Sequence, residues 1–226
     1  MRAPISVIIP TLDAAAALPG CAAALFEGLQ AGLIREVVVS DGGSADRTRE
    51  VAGELGATWV EGPPSRGGQL ARGVAAASGP WLLVLHADTQ LAPGWSEAAV
   101  SHMQTGDAGY FRLAFARGGW RARGVAGWAN VRSRLAGLPY GDQGMLLPRD
   151  LYDAVGGFPD QPLMEDVALA RALKGRLRAI AATAVTSPER YEAAGWLRRG
   201  TRNLATLTRY LLGTDPETLA QAYRRR

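Results

Sequence analysis

The first place in this chain where residue types could do chemistry is the end of an apolar run, at His86-Ala87-Asp88. Residues 81–85 read Trp-Leu-Leu-Val-Leu after Gly79-Pro80, the pattern of a buried, parallel-type strand. Ligands of open α/β sheets collect at the carboxyl ends of such strands. Side chains alternate along a strand, so His86 and Asp88 are expected to share a face. An imidazole and a carboxylate on one edge suit a divalent metal that carries a phosphate. The competing explanation is structural, with Asp88 capping the next turn. The second candidate is the adjacent pair Glu165-Asp166, which opens an apolar helix ending in Arg171, Lys174 and Arg176. Acids at a helix start are stabilised by its dipole. Two neighbouring carboxylates near an anionic ligand also raise each other's pKa, which suits a general base.

Three further polar clusters stand in turns. Asp41 ends an apolar stretch and starts Asp41-Gly42-Gly43-Ser44-Ala45-Asp46. A carboxylate there can accept from a base N–H or a ribose hydroxyl, or it can bond its own turn; Asp46 is expected to cap the following helix. Arg66-Gly67-Gly68-Gln69 precedes a helix, with an Arg able to pair with phosphate and glycines able to admit a ligand. Gly141-Asp142-Gln143-Gly144 sets two polar side chains between glycines, and a tight turn explains it equally well. The first strand is followed by neither GxGxxG nor GxxxxGK[ST], so a nucleotide would be held another way.

The elements that must position these residues alternate. Strands are expected at 4–10, 36–40, 57–61 and 81–85, and helices at 11–31, 48–55, 66–78 and 93–104, the last with Pro93 in its first turn. That rhythm means a mostly parallel central sheet with helices on both faces. Beyond residue 105 it changes: strands at 108–116, 144–148 and 178–186, and helices at 120–135, 150–155 and 164–173. Two closing helices are expected at 189–212 and 216–225. With no repeat or linker, the 226 residues read as one domain in two functional halves, 1–105 and 106–188, with C-terminal helices at 189–226.

The formal charge is +4, and Lys174 is the only lysine among 25 basic residues. Cys21 is the single cysteine, which excludes an internal disulfide and a Cys-based metal site. The chain starts directly in a strand pattern and holds no bilayer-length apolar run, so a cytoplasmic location is expected. The basic residues look dispersed and no nucleic-acid motif occurs, so no nucleic-acid partner is expected.

Taken in order, these motifs resemble the family-2 glycosyltransferases, which have the GT-A nucleotide-diphospho-sugar fold. The matching residues are Ser6-Val7-Ile8-Ile9-Pro10-Thr11, Asp41 to Thr48, Arg66-Gly67-Gly68-Gln69, His86-Ala87-Asp88, Gly156-Gly157-Phe158 and Glu165-Asp166. The likeness extends to about Lys174 and is nearest to short bacterial members with His-Ala-Asp in place of Asp-x-Asp. It implies a UDP-, GDP- or dTDP-linked sugar donor, with residues 1–105 as the nucleotide-sugar-binding half and 106–188 as the acceptor and catalytic half. Pro10, Thr11, Asp41, Arg66, Gln69, His86 and Ala87 would form the nucleotide side. Asp88, with His86, would hold Mg²⁺ or Mn²⁺. Asp166 would be the base and Glu165 its companion, while Asp142, Gln143 and Arg190 would lie on the acceptor side. Three departures stand out: Gly42 replaces the second acid of Asp-Asp-Gly-Ser, His86 replaces the first acid of Asp-x-Asp, and no Gln-x-x-Arg-Trp follows. Arg190 in Ser187-Pro188-Glu189-Arg190-Tyr191 lies near the last of these.

The resulting expectation is an inverting, metal-assisted transferase. Its alternatives are a nucleotidyltransferase of the same fold, which normally has a basic Gly-rich loop after the first strand, and a silent nucleotide-sugar binder. In the penultimate helix Leu197, Leu204, Leu207 and Leu211 share a face opposite Arg198, Arg202 and Arg209. Core packing of the leucines is the favoured reading. Peripheral contact with the inner membrane face and a lipid-linked acceptor form the other.

Overall fold

A computed structural model describes residues 2–224, with the side chain of Arg224 left out. Eight strands form one sheet in the order β3-β2-β1-β4-β7-β6-β8-β5. Its first half is β1 (Ile5–Thr11), β2 (Ile34–Asp41), β3 (Thr58–Glu61) and β4 (Trp81–Val84), all parallel. The chain winds outward from β1 to β2 and β3, then crosses to the other side for β4. Such a reversal leaves a crevice at the carboxyl edge, where ligands bind.

On β1, Ile5, Val7 and Ile9 enter one core, with Leu18 and Leu25 of α1 (Leu18–Gln30) and Trp95 of α4 (Trp95–Met103). Ile8 points to the other face, against Leu70 and Val74 of α3 (Arg66–Ala76) and Leu169 of α7 (Glu165–Ala172). This period-two division is what buries both sheet faces. The second half of the sheet is mixed. β7 (Met145–Pro148) runs antiparallel to β4 and to β6 (Ala108–Phe115), and β8 (Leu177–Thr186) runs parallel to β6.

Several sequence expectations shift. The first helix starts at Leu18, not at Thr11, because residues 12–17 are tied to the turn after β2. In that lacing the Asp13 and Ala15 N–H groups donate to Ser44 Oγ and Asp46 Oδ2, and Ala45 N–H donates to Asp13 Oδ1. Asp46 also accepts from Thr48 N–H before α2 (Thr48–Glu54), close to its expected local role. Pro93 lies outside α4, whose N-cap is Gly94 in the left-handed region. A short strand β5 (Thr89–Leu91) was not anticipated; it pairs with β8. The expected 189–212 helix is broken at Gly195 (φ 84°, ψ 132°) into α8 (Glu189–Ala194) and α9 (Trp196–Leu211). It is followed by α10 (Pro216–Arg224); Arg225, expected at its end, lies outside the described residues.

Candidate active site

A turn and two strand pairings build the site at the carboxyl edge. β4 ends at Val84, so His86 and Asp88 are not strand residues, and strand alternation does not explain their common direction. They sit in a turn closed by Thr89 N–H donating to the His86 carbonyl. Antiparallel pairing sets Met145 opposite Val84. The 3-10 turn Gly141–Gln143, just before β7, is therefore delivered beside His86. The fit is close: a Cβ on Gly141 would lie 2.4 Å from His86 Nε2. The second pairing, Thr89 with Thr186, brings the end of β8 and the following Ser187 and Arg190 to the same edge.

Asp166 arrives from the opposite side. Met164 adopts φ 66°, a left-handed conformation unusual for a non-glycine, as the chain enters α7. Asp166 Oδ2 then accepts from Gly141 N–H at 2.6 Å, and Oδ1 accepts from Val167 N–H at 2.7 Å. A single cleft of about 740 Å³, open mouth included, is lined by Asp88, Asp142 and Asp166 with His86, Arg66 and Arg190. Two acids far apart in sequence thus face one space.

The electrostatics are uneven. Burial, then the Arg66 charge, pushes the His86 imidazole down to about 4, so it is neutral near pH 7 and has a lone pair to offer. Burial pushes the Asp142 carboxyl up to about 6 against the pull of Arg132, and its Oδ1 has no hydrogen-bond partner. Arg66 is desolvated, yet Glu165 and Asp166 more than restore its affinity for a proton. It is a fixed cation at the cleft wall.

Other expected site residues lie elsewhere. Thr11 and Asp41 are buried behind the cleft, and the Thr11 hydroxyl donates to Asp41 Oδ1. Asp41 also accepts from Gly43 N–H, Ser44 N–H and Ser44 Oγ, so both of its oxygens serve its own turn. Gln69 is a buried clamp whose amide donates to the Thr11 and Ser40 carbonyls. It also accounts for Gly42: a Cβ there would meet Gln69 Oε1 at 2.9 Å, in the room a second acid would need. Gly67 and Gly68 admit protein, not ligand. Their Cβ atoms would lie 1.9 Å from the Pro159 carbonyl and 2.5 Å from Asp160 Oδ1, and Gly67 N–H donates to the Gln161 carbonyl. The pair docks the start of α3 onto the loop leading to α7, which is how Arg66 meets the acids. Gln143 is fully buried, accepting from Ser133 Oγ and donating to the Phe111 carbonyl, so it holds the turn and does not face an acceptor. Glu165 is buried behind Asp166 rather than lining the cleft. Pro10 and Ala87 are likewise absent from its walls, and Ala87 packs in the core.

Sequence reasoning missed the roof. Arg199 and Asn203 of α9, Tyr191 of α8 and Tyr223 of α10 line the cleft, beside Phe115 and Tyr140. The Arg199 guanidinium donates to Tyr223 Oη and lies 5.4 Å from the Tyr191 ring centroid. An arginine within an Arg-rich helix gives no sequence signal that separates a cleft residue from a surface one.

A family model described as "Glycosyl transferase family 2" matches residues 6–142. The chain belongs to glycosyl transferase family 2. Among curated proteins the chain is similar to the PGL/p-HBAD biosynthesis glycosyltransferases of Mycobacterium bovis and Mycobacterium tuberculosis, 38% identical over 99 residues, covering 40% of this chain and 38% of theirs. The chain thus spans about two fifths of the length of those relatives. Among solved structures, S. aureus TarS 1-349 superposes with a TM-score of 0.64 at 16% identity, covering 84% of this chain and 62% of that one. Mannosyltransferase PcManGT from Pyrobaculum calidifontis, in complex with GDP-Man and Mn²⁺, gives 0.61 at 21% identity, covering 82% and 57%. Glucosyl-3-phosphoglycerate synthase from Mycobacterium tuberculosis, with Mn²⁺, UDP and phosphoglyceric acid, gives 0.58 at 21% identity, covering 89% and 77%. The fold is therefore the GT-A fold that the family resemblance implied.

Proposed function

We propose that this protein is an inverting glycosyltransferase that moves a sugar from a nucleoside diphosphate to an acceptor hydroxyl, with Asp166 as general base. The observation that carries this reading is the shared cleft, lined by Asp88 and Asp166 together with Arg66 and Arg190. The acceptor oxygen forms the new bond to the anomeric carbon as its proton passes to Asp166. The bond from that carbon to the diphosphate breaks, and its electron pair leaves on the phosphate oxygen. Two backbone N–H groups hold the Asp166 carboxylate, so its position is set before substrate arrives. Arg66 and Arg190 are placed to pair with the departing anion.

The residues present fit a divalent cation. Asp88 and neutral His86 would hold it, and the unpartnered Asp142 Oδ1 stands in the same cleft. Among the described residues no three His, Cys, Asp or Glu side chains gather tightly enough to hold a metal alone, so diphosphate oxygens would complete its shell. When bound, the metal would neutralise charge on the leaving diphosphate. Relatives of this fold were solved with Mn²⁺ and with UDP or GDP-Man, which supports a nucleotide-sugar donor.

The test is a thermal-shift screen of UDP-, GDP- and dTDP-sugars with and without Mn²⁺, followed by transfer assays on Asp166→Asn. A donor that binds only the native state raises Tm. Asp166→Asn is expected to keep that shift and lose roughly two to four powers of ten in turnover. Undiminished turnover would remove Asp166 as the base.

A further inference from the structure

The face formed by α5 (Gly119–Ala136) and α9 is built unlike the rest of the surface. α5 buries only small residues, Ala122, Ala126, Ala129 and Ser133, against β6. Its opposite side displays Trp120, Trp128, Val131 and Leu135 at helical spacing, with Trp120 72% and Leu135 80% exposed. α9 corrects the sequence expectation. Thr206 and Leu207 are its buried residues, while Leu197, Leu204 and Leu211 lie outside, Leu197 at 83% exposure and the adjoining Leu212 at 81%.

The two apolar stripes adjoin. The Gly118 backbone, which starts α5, packs on the Trp196 ring, which starts α9; a Cβ there would lie 2.4 Å from it. Further along, Trp128 and Leu204 border one crevice. The helices therefore lie side by side and run in the same direction, and their stripes form one exposed apolar band. Isolated surface leucines are ordinary, but a continuous band with tryptophans marks an interaction site.

The charge around the band names the partner. α5 carries Arg121, Arg123, Arg132 and Arg134; α9 carries Arg198, Arg199, Arg202 and Arg209; neither helix contains an acidic residue. These eight charges exceed the net +4 of the whole chain, so the remainder is net negative. Arg132, Arg199 and Arg202 turn inward to Tyr140, Tyr191 and Tyr223, and the exposed Arg121, Arg123, Arg134, Arg198 and Arg209 stay around the band. Arg123 and Arg134 flank the band along α5, and Arg198 and Arg209 flank it along α9. Apolar side chains between two basic margins match a bilayer with anionic headgroups: Trp and Leu enter the interface while Arg stems reach the phosphates. A nucleic acid would meet leucines where its phosphates need cations.

The crevice gives the band a use. It is bordered by Trp128, Gly200 and Leu204, and shares Tyr140, Asp142, Tyr191 and Asn203 with the catalytic cleft. We propose that the α5–α9 band seats this protein on an anionic bilayer, and that the crevice admits an amphiphilic sugar acceptor from that bilayer to the cleft. The bilayer contact is independent of the transferase reading; the acceptor's use of the crevice rests on it.

The experiment uses the full chain and vesicles of phosphatidylcholine with or without phosphatidylglycerol. The parent is expected to float with anionic vesicles and show a blue-shifted Trp emission. A fourfold variant, Trp120→Ser, Leu135→Ser, Leu197→Ser and Leu212→Ser, changes exposed side chains only. It is expected to keep its Tm and bind at least roughly tenfold more weakly. Failure of the parent to bind anionic vesicles at low salt overturns the proposal, as does equal binding by the variant. So does a parent dimer that the variant dissolves, which would make the band a self-interface. In the second arm, labelled donor and vesicles loaded with a bacterial lipid extract are expected to yield label in the organic phase. Gly200→Leu, whose side chain would enter open space in the crevice, is expected to cut that label roughly tenfold while leaving the donor-induced Tm shift unchanged. Undiminished lipid labelling in Gly200→Leu overturns the crevice route. A parent with no donor-induced shift brings down the transferase reading instead, and leaves the vesicle result to decide the band.

Discussion

Replacing Glu165 by Gln should stabilise the protein, and only on the alkaline side. Glu165 is 1% exposed, and its Oε2 has no hydrogen-bond partner. Burial first, and then the neighbouring Asp166 charge, push its carboxyl from 4.5 up to about 7, with Arg66 opposing. In the unfolded chain the same group ionises near its ordinary value. Below that value both states hold the proton and the group costs nothing. Between the two values the unfolded chain releases a proton that the folded chain keeps, so stability falls as pH rises. Above pH 7 the full cost is present. A gap of roughly two and a half pH units is worth at most about 3 kcal/mol. The amide of Gln removes the charge with little change of shape. Near pH 8 the variant should gain up to that amount, roughly 6–12 °C of Tm for a chain of this size. Near pH 4 the two proteins should agree within about 2 °C. Calorimetry or urea unfolding at about pH 4, 6 and 8 measures this. A gain of equal size at every pH would refute the reasoning, because it would not come from ionisation. A loss at pH 8 would refute it as well, since Arg66 would then be worth more to the carboxylate than burial costs.

Other outcomes follow from the same contacts. Gly42→Asp, which restores the family's usual second acid, should destabilise the fold by about 1–3 kcal/mol because its Cβ meets the pinned Gln69 side chain. In urea unfolding, Gln69→Ala should cost less in that background than in the parent; simple additivity would show that the two sites do not touch. Arg66→Met should weaken donor binding by roughly ten- to a hundredfold in titration calorimetry, given the usual worth of a charged hydrogen bond. Unchanged affinity would place the diphosphate away from Arg66. Asp88→Asn should abolish the dependence of donor binding on Mn²⁺ while leaving the Tm of the free protein within about 2 °C, and a retained dependence would move the metal elsewhere.

Several residues that match the family pattern hold the walls of the cleft. Asp41, Gln69 and the Gly67-Gly68 pair match the family pattern, yet their side chains or backbone are spent on protein. Asp41 ties down the β2 turn, Gln69 clamps the ends of β1 and β2, and the glycines let α3 meet the loop before α7. They shape the walls from which Arg66 and His86 reach the cleft.

The sequence by itself determined the elements and the order of the first half. β-branched runs and Ala-rich helices alternate there, and a parallel sheet with a crevice at its switch point is the packing that buries both faces. It also determined which acids were available, since Asp88 and Asp166 carry the motifs whatever the fold. Tertiary structure decided which polar groups face the ligand space and which face the protein. Local sequence is the same for a carboxylate that bonds its own turn, as Asp41 does, and for one that is held outward by a distant N–H, as Asp166 is by Gly141. The antiparallel β7 pairing, which no local pattern encodes, brought Asp142 to His86. Helix periodicity put four leucines of α9 on one face, but the fold buries Leu207 and leaves Leu197, Leu204 and Leu211 outside. That follows from Leu207 and Thr206 packing inward, and it leaves the other leucines beside the tryptophans of α5.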